Sequence, residues 1–266
     1  MTTFTLSFRS AFWAEVLKAR RSKVSWLTTG SFLIMPVITG LLIFILKDPE
    51  QAQEMGLISI KAQLAGATGD WPTYFGMLTM GVGVAGSILF AIITSWVFGR
   101  EFSDHTVKEW LALPTPRGII IGAKFVLVAL WIIGIALLVF GIGLVVGAVI
   151  CIPGWSPELV WTSFKAFMLT SLLSCMLMSC VALFASVGRG YLLPIGWAFL
   201  TMALAQIASL LGWAEWFPWA VPGLVGGSSG LAAQPVGLHS YAVVAFAFLT
   251  GIVATLIWWQ RADQTK

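Results

Sequence analysis

The sequence predicts an all-α integral membrane protein with six transmembrane helices. Three observations carry this. Apolar residues make up 59% of the chain and charged residues 10%, against about 45–50% and about 25% in soluble domains. Mean hydropathy is +0.93. Six runs approach or exceed the roughly 20 apolar residues needed to cross a hydrocarbon core, namely 26–46, 75–98, 119–150, 164–187, 192–211 and 241–259. A soluble chain of 266 residues has too little interior to hide them. Residues 1–266 read as a single transmembrane domain.

Orientation follows from Lys and Arg. With the N-terminus inside, twelve of the 15 basic residues fall on inner segments, and only Lys47, Lys61 and Lys165 fall outside. Both termini are then cytoplasmic. The outer loops carry acids instead: Asp48, Glu50, Glu54, Asp70, Glu158 and Glu215.

Residues 1–25 precede the first span. Phe8, Phe12, Trp13, Val16 and Leu17 recur at helical spacing, interleaved with Arg9, Lys18, Arg20 and Arg21. This is the pattern of an amphipathic helix lying in the interface plane, its basic residues reaching lipid headgroups. The plainer alternative is a positive flank that only sets topology. The loop 47–74 has turn signals at Gly66, Gly69, Asp70 and Pro72.

Within the second run, Gly81-Val-Gly-Val-Ala-Gly86 matches G-x-G-x-x-G. A nucleotide fingerprint needs a preceding strand, so small residues inside a span read instead as helix packing. Gly83 with Ser87, and Gly143 with Gly147, suit either contacts within one subunit or a contact between two subunits. The third run is too long for one straight span, and its first turns, with Arg117 and Lys124, extend below the membrane. The outer stretch 212–240 is too apolar for a solvated loop (Trp213, Trp216, Phe217, Trp219). It is also too broken for a span (Pro218, Pro222, Gly223, Gly226, Gly227). Short re-entrant helices packed on spans five and six fit both facts.

Catalytic and ion-coupled readings find little support. Cys151, Cys175 and Cys180 form no C-x-x-C pair and read as small apolar residues. His105 and His239, the only histidines, fall on opposite sides, which argues against a two-histidine metal site or an intramembrane hydrolase. No acidic residue lies in the middle of a run, where a gradient-driven carrier or charged channel needs one. No catalytic, cofactor-binding or metal residue is assigned, and nothing points to nucleic acid.

The segment 99–118 is the long polar interruption that carries several basic charges, Arg100, Lys108 and Arg117 among them. Thr106-Val-Lys-Glu109 is a capping box, and Pro114 and Pro116 stop the helix it starts. Val107, Trp110 and Leu111 form an apolar face that something must cover. Thr115 and Pro116 restart a helix as N-cap and N1. The unit is two long helices joined by a short cross-helix, able to carry a push from the cytoplasm into the membrane.

Glu101, Thr106, Lys108, Leu111, Pro114, Arg117, Ala123 and Lys124 stand in an order that resembles permeases of the type-2 ATP-binding-cassette (ABC) exporters. The six-span layout, in-plane N-terminal helix and broken outer segment look like the same family. One residue departs: His105 stands where that family commonly has glycine. The resemblance implies a plasma-membrane permease, bacterial in its peptide-antibiotic and multidrug-like branch, paired with a second permease (a copy of itself or a sister) and with ABC ATPase subunits. ATP and Mg would sit on the ATPase, since this chain lacks G-x-x-x-x-G-K-[ST]. The coupling residues would be Arg100, Glu101, Thr106, Lys108, Glu109, Trp110 and Leu111, with the in-plane helix touching the ATPase too. The other readings are an ion-gradient-driven carrier or channel, and a membrane-embedded hydrolase.

Overall fold

The computed structural model describes residues 2–47, 69–104, 106, 115–227 and 236–261, with side chains from residue 7 onward. Every regular element among them is helical. Six helical stretches are long and apolar enough to cross a membrane. They are α2 (Lys23–Lys47); the stretch Trp71–Ser103; α5 (Arg117–Val149); α6 (Pro157–Val187); α7 (Leu192–Leu210); and α9 (Leu238–Arg261). The second comprises α3 (Trp71–Gly81), a π-helical turn over Val82–Gly86 and α4 (Ser87–Ser103). Ahead of them lies α1 (Thr2–Arg21). A 3-10 turn at Ala214–Trp216 and the short α8 (Val221–Val225) lie between α7 and α9.

Local chemistry sets several helix ends. Asp70 caps α3, its Oδ1 accepting from the Thr73 amide at 3.0 Å, with Pro72 in the first turn. Ser156 caps α6 through the Leu159 amide at 3.2 Å, with Pro157 next. Both caps lie upstream of the apolar runs, so these helices begin four and seven residues before 75 and 164. Thr115 is not the cap of α5. Pro116 takes that place with extended backbone, its carbonyl accepting from the Ile119 amide, and Arg117 is the first helical residue.

The most buried span is α6, and the least is α7. The α6 helix packs against α9, α4, α5 and α7. Gly251 lets α9 lie against the α6 backbone at Ser179 and Cys180, where a Cβ would overlap both. Several hydroxyls inside the bundle are satisfied locally, whereas those of Thr170, Ser179 and Ser240 are buried without a partner among the described residues. Thr79, Thr94, Ser95, Ser171, Ser186 and Thr255 each donate to the carbonyl four residues back.

The small-residue pairs serve packing within the chain. Gly83 faces Thr170 of α6 and the Pro222 carbonyl of α8, while Gly143 and Gly147 face Leu78, Tyr74 and the Trp71 ring of α3. Gly83, Gly143 and Gly147 thus each serve a close approach between helices of this chain. The 3-10 turn and α8 pack on α7 and α9, and also on α6 and the π turn.

Candidate functional site

The α1 end of the bundle holds the one group of interlinked buried charges among the described residues. It is built from α1, the last turns of α4 and the second turn of α5. On α5 the buried stripe runs Ile120, Ile121, Lys124, Leu127, Val128, so Lys124 stands where an apolar residue belongs. It is fully buried. On α4 the stripe Phe90, Ile93, Thr94, Val97, Phe98 continues into Glu101. On α1, Phe12, Glu15 and Ala19 share one face. Glu15 and Glu101 are each 4% exposed.

These groups close on one another. Lys124 Nζ donates to Glu101 Oε1 at 2.7 Å, to the Val97 carbonyl at 2.8 Å and to Glu15 Oε2 at 3.1 Å. Its three protons are thereby used. Lys18 Nζ donates to Glu15 Oε1 at 2.7 Å and to Glu101 Oε1 at 3.0 Å. Two ammoniums balance two carboxylates, and Glu101 Oε2 alone has no hydrogen-bond partner among the described residues. Burial by itself would raise the Glu15 carboxyl, but the charges of Lys124 and Lys18 outweigh it and hold the group below its ordinary value. Burial likewise opposes the charged form of Lys18, yet Glu101 and Glu15 hold it above the ordinary lysine value. The arrangement offers no nucleophile–base pair. Its chemistry is mechanical: it clamps three helices through charge.

A second tie lies at the same end. Trp259 of α9 is fully buried, and its indole Nε1 donates to Ser186 Oγ at 2.9 Å. Its carbonyl accepts from Arg117 Nη1 at 3.0 Å, and Phe102 packs on its ring. The two ends of the segment 105–116 are therefore both anchored. Glu101 and Phe102 hold the α4 side, and Arg117 and Lys124 hold the α5 side.

The sequence-predicted residues distribute as follows. Glu101 lies at the centre of the cluster and faces α1. Arg100 points elsewhere, its Nε donating to Asp104 Oδ2 at 2.9 Å and its guanidinium lying over Trp96. The Thr106 amide donates to the Glu101 carbonyl at 3.0 Å. Lys108, Glu109, Trp110 and Leu111, with the capping box and cross-helix, lie outside the described residues, as does His105.

On α1, Phe12 and Val16 pack on the core, Phe8 stacks on Phe12 and comes near Gly122 of α5, and Trp13 and Leu17 face outward. Lys18 corrects one expectation. It does not reach for headgroups, because Glu15 and Glu101 hold it. Glu15 was not among the sequence-predicted residues. Its signal was a place between Phe12 and Ala19 on the apolar face of α1, where an acid needs a cation.

A small amphipathic cavity of about 50 Å³ lies beside the π turn. Ser87, Thr201, Gln206 and Ser209 line it with Met178 and Trp219. It has room for a few waters.

A family model for the ABC-2 family transporter protein matches residues 11–205, which run from the middle of α1 through the charge cluster into α7. The chain belongs to the ABC-2 transporter family. It is also 25% identical over 178 residues to the bacitracin transport permease protein BCRB of Bacillus licheniformis, a match covering 66% of this chain and 84% of that one. As an ABC-2 permease subunit the chain is a multi-pass membrane protein with a role in transport. Membership of the family implies an ATPase partner.

Proposed function

We propose that this chain is the permease of an ATP-driven exporter that moves an amphipathic or peptide-like substrate across or out of the plasma membrane, and that the charge cluster is its coupling joint. The α1 end is placed in the cytoplasm, and a second permease (a copy or a sister) completes the translocation path. ATP and Mg bind the separate ATPase, which docks on the segment 105–116 through Trp110 and Leu111.

The observation that carries this reading is the position of the cluster. Glu101 and Lys124 stand on the two helices that the 105–116 segment joins, and they meet each other and α1 in a buried, neutral network. A displacement of that segment then moves α1, α4 and α5 together, because separating any one strands a buried charge. The substrate class is supported by the relationship to a bacitracin permease and by the mixed polar and aromatic walls of the cavity by the π turn.

The test is gentle purification of the chain from its native membrane with identification of what accompanies it. A stoichiometric partner carrying a P-loop, cross-linkable from position 110 and lost in Trp110→Ala with membrane insertion intact, is the expected result. Recovery without any ATPase, with position 110 cross-linking to lipid only, would overturn it and reopen the carrier and hydrolase readings.

A further inference from the structure

Beside the cluster, a pocket of about 560 Å³ opens between α1, the last turns of α4 and Tyr191 at the start of α7. Leu17, Arg21, Trp96, Arg100 and Tyr191 line it, with Lys18 behind them and the Asp104 carboxylate at its edge. The charges are unequally committed. Lys18 is held by two carboxylates. Arg100 gives its Nε to Asp104, lies over the Trp96 ring at 5.1 Å, and its terminal N–H groups make no hydrogen bond among the described residues. Arg21 is exposed and forms no ion pair among the described residues. The pocket therefore presents uncompensated positive charge in a concave, aromatic-walled setting, which suits a phosphate.

We propose that this pocket seats the phosphate of an anionic membrane phospholipid. The setting selects a lipid over a soluble phosphate. Trp96 and Tyr191 are amphipathic aromatics of the kind that gather at the membrane–water interface. Leu17 in the pocket wall, Trp13 one turn before it on α1 and Trp26 in the first turn of α2 expose large apolar surfaces that water would not leave bare. The phosphate sits between Arg21 and Arg100, and the acyl chains leave along Leu17 into the bilayer. Bound there, the lipid ties α1 to α4 by a second link beside the buried cluster, so anionic lipid favours the docked position of α1. This rests on the reading of α1 as an interfacial helix.

The test uses the full-length chain in mild detergent, titrated with phosphatidylglycerol or phosphatidylcholine and read by native mass spectrometry as retained lipid. Phosphatidylglycerol should be retained in preference. Arg21→Gln should weaken it about fivefold, the effect of one basic residue near an anionic surface. Arg100→Gln should do the same, and Arg100→Lys should fall between. Arg21 has no ion-pair partner among the described residues, so its variant reports on the site even if the Arg100 variants lose stability. The controls Arg9→Gln and Lys23→Gln should leave retention unchanged.

Equal losses in the controls would mean diffuse attraction, and equal retention of phosphatidylcholine would mean no headgroup selection. Displacement by inorganic phosphate or glycerol 1-phosphate would mean a soluble ligand. Each of these overturns the proposal. No ATPase is present in the assay, so its outcome is independent of the coupling test.

Discussion

The two ends of the bundle each bring a carboxylate to a side-chain nitrogen at about the same distance, with different consequences. At the α1 end, Glu101 and Lys124 meet at 2.7 Å with side-chain exposures of 5% and 0%. At the opposite end, Glu215 before α8 and His239 at the start of α9 come within 3.0 Å, but with exposures of 46% and 35%. Distance alone would rank them alike. Burial and connectivity separate them: the first pair belongs to a network in which four charges from three helices are mutually committed, while the second is an isolated, partly exposed contact with the Trp216 ring tilted against the imidazole. A close ion pair organises a structure when leaving it would strand charge out of water, and it contributes little when water can replace either partner.

The largest effect should come from breaking the buried network. Lys124→Met leaves Glu15 and Glu101 with Lys18 as their only cation, and loss of one partner of a buried pair costs about 3–5 kcal/mol. Thermal unfolding in detergent should show a large loss of stability. The comparison sharpens with Glu101→Leu added. The double variant removes opposite charges together and leaves Glu15 paired with Lys18, so most of the stability should return. Transport should not return, because α4 and α5 are no longer tied to α1. A stable double variant with intact transport would reduce the cluster to a packing device.

How much of this was legible in the sequence can be read from the same residues. The six spans were plain, because apolar runs of that length are rare outside a membrane. Two helices begin upstream of their apolar runs, because Asp70 and Ser156 cap them with polar groups before the apolar signal starts. Glu101 and Lys124 stood out through their place in a family-like motif, but their partners did not. Lys18 was assigned by its charge to the lipid face, and Glu15 was masked by the basic residues around it, although its spacing from Phe12 and Ala19 put it on the buried face. The π turn over Val82–Gly86 had no readable signal. Its glycines permit a wide turn, but the neighbours that fill it, Thr170 and Pro222, come from distant parts of the chain.

Acid should loosen the buried network before it touches the rest of the bundle. Glu15 titrates below its ordinary value when folded, so its contribution is complete above the ordinary carboxylate range and is lost as pH falls through the lowered folded value. Lys18 is shifted upward, so its contribution persists through neutral pH and disappears only above the ordinary lysine value. A spin-label distance between positions 9 and 260 should therefore be constant from neutral to mildly alkaline pH and broaden on acidification. Lys124→Met should move that broadening to higher pH, because one of the charges that depresses Glu15 is gone. Broadening on the alkaline side first would contradict the assignment of Glu15 as the weak point.

The smallest effect belongs to the exposed pair. Glu215→Gln should change stability by less than about 1 kcal/mol, the range of solvent-exposed ion pairs, and added salt should abolish even that difference. His239→Gln should match it if the contact is purely ionic and exceed it if ring stacking on Trp216 matters, since only the second change removes the aromatic face. Salt separates the two contributions: the ionic part is screened and the stacking part is not. A loss at Glu215 as large as that at Lys124, persisting in high salt, would show that the 3-10 turn and α8 depend on this contact as α1 depends on the buried cluster. The contrast between the two ends would then have to be redrawn around connectivity alone, with burial demoted.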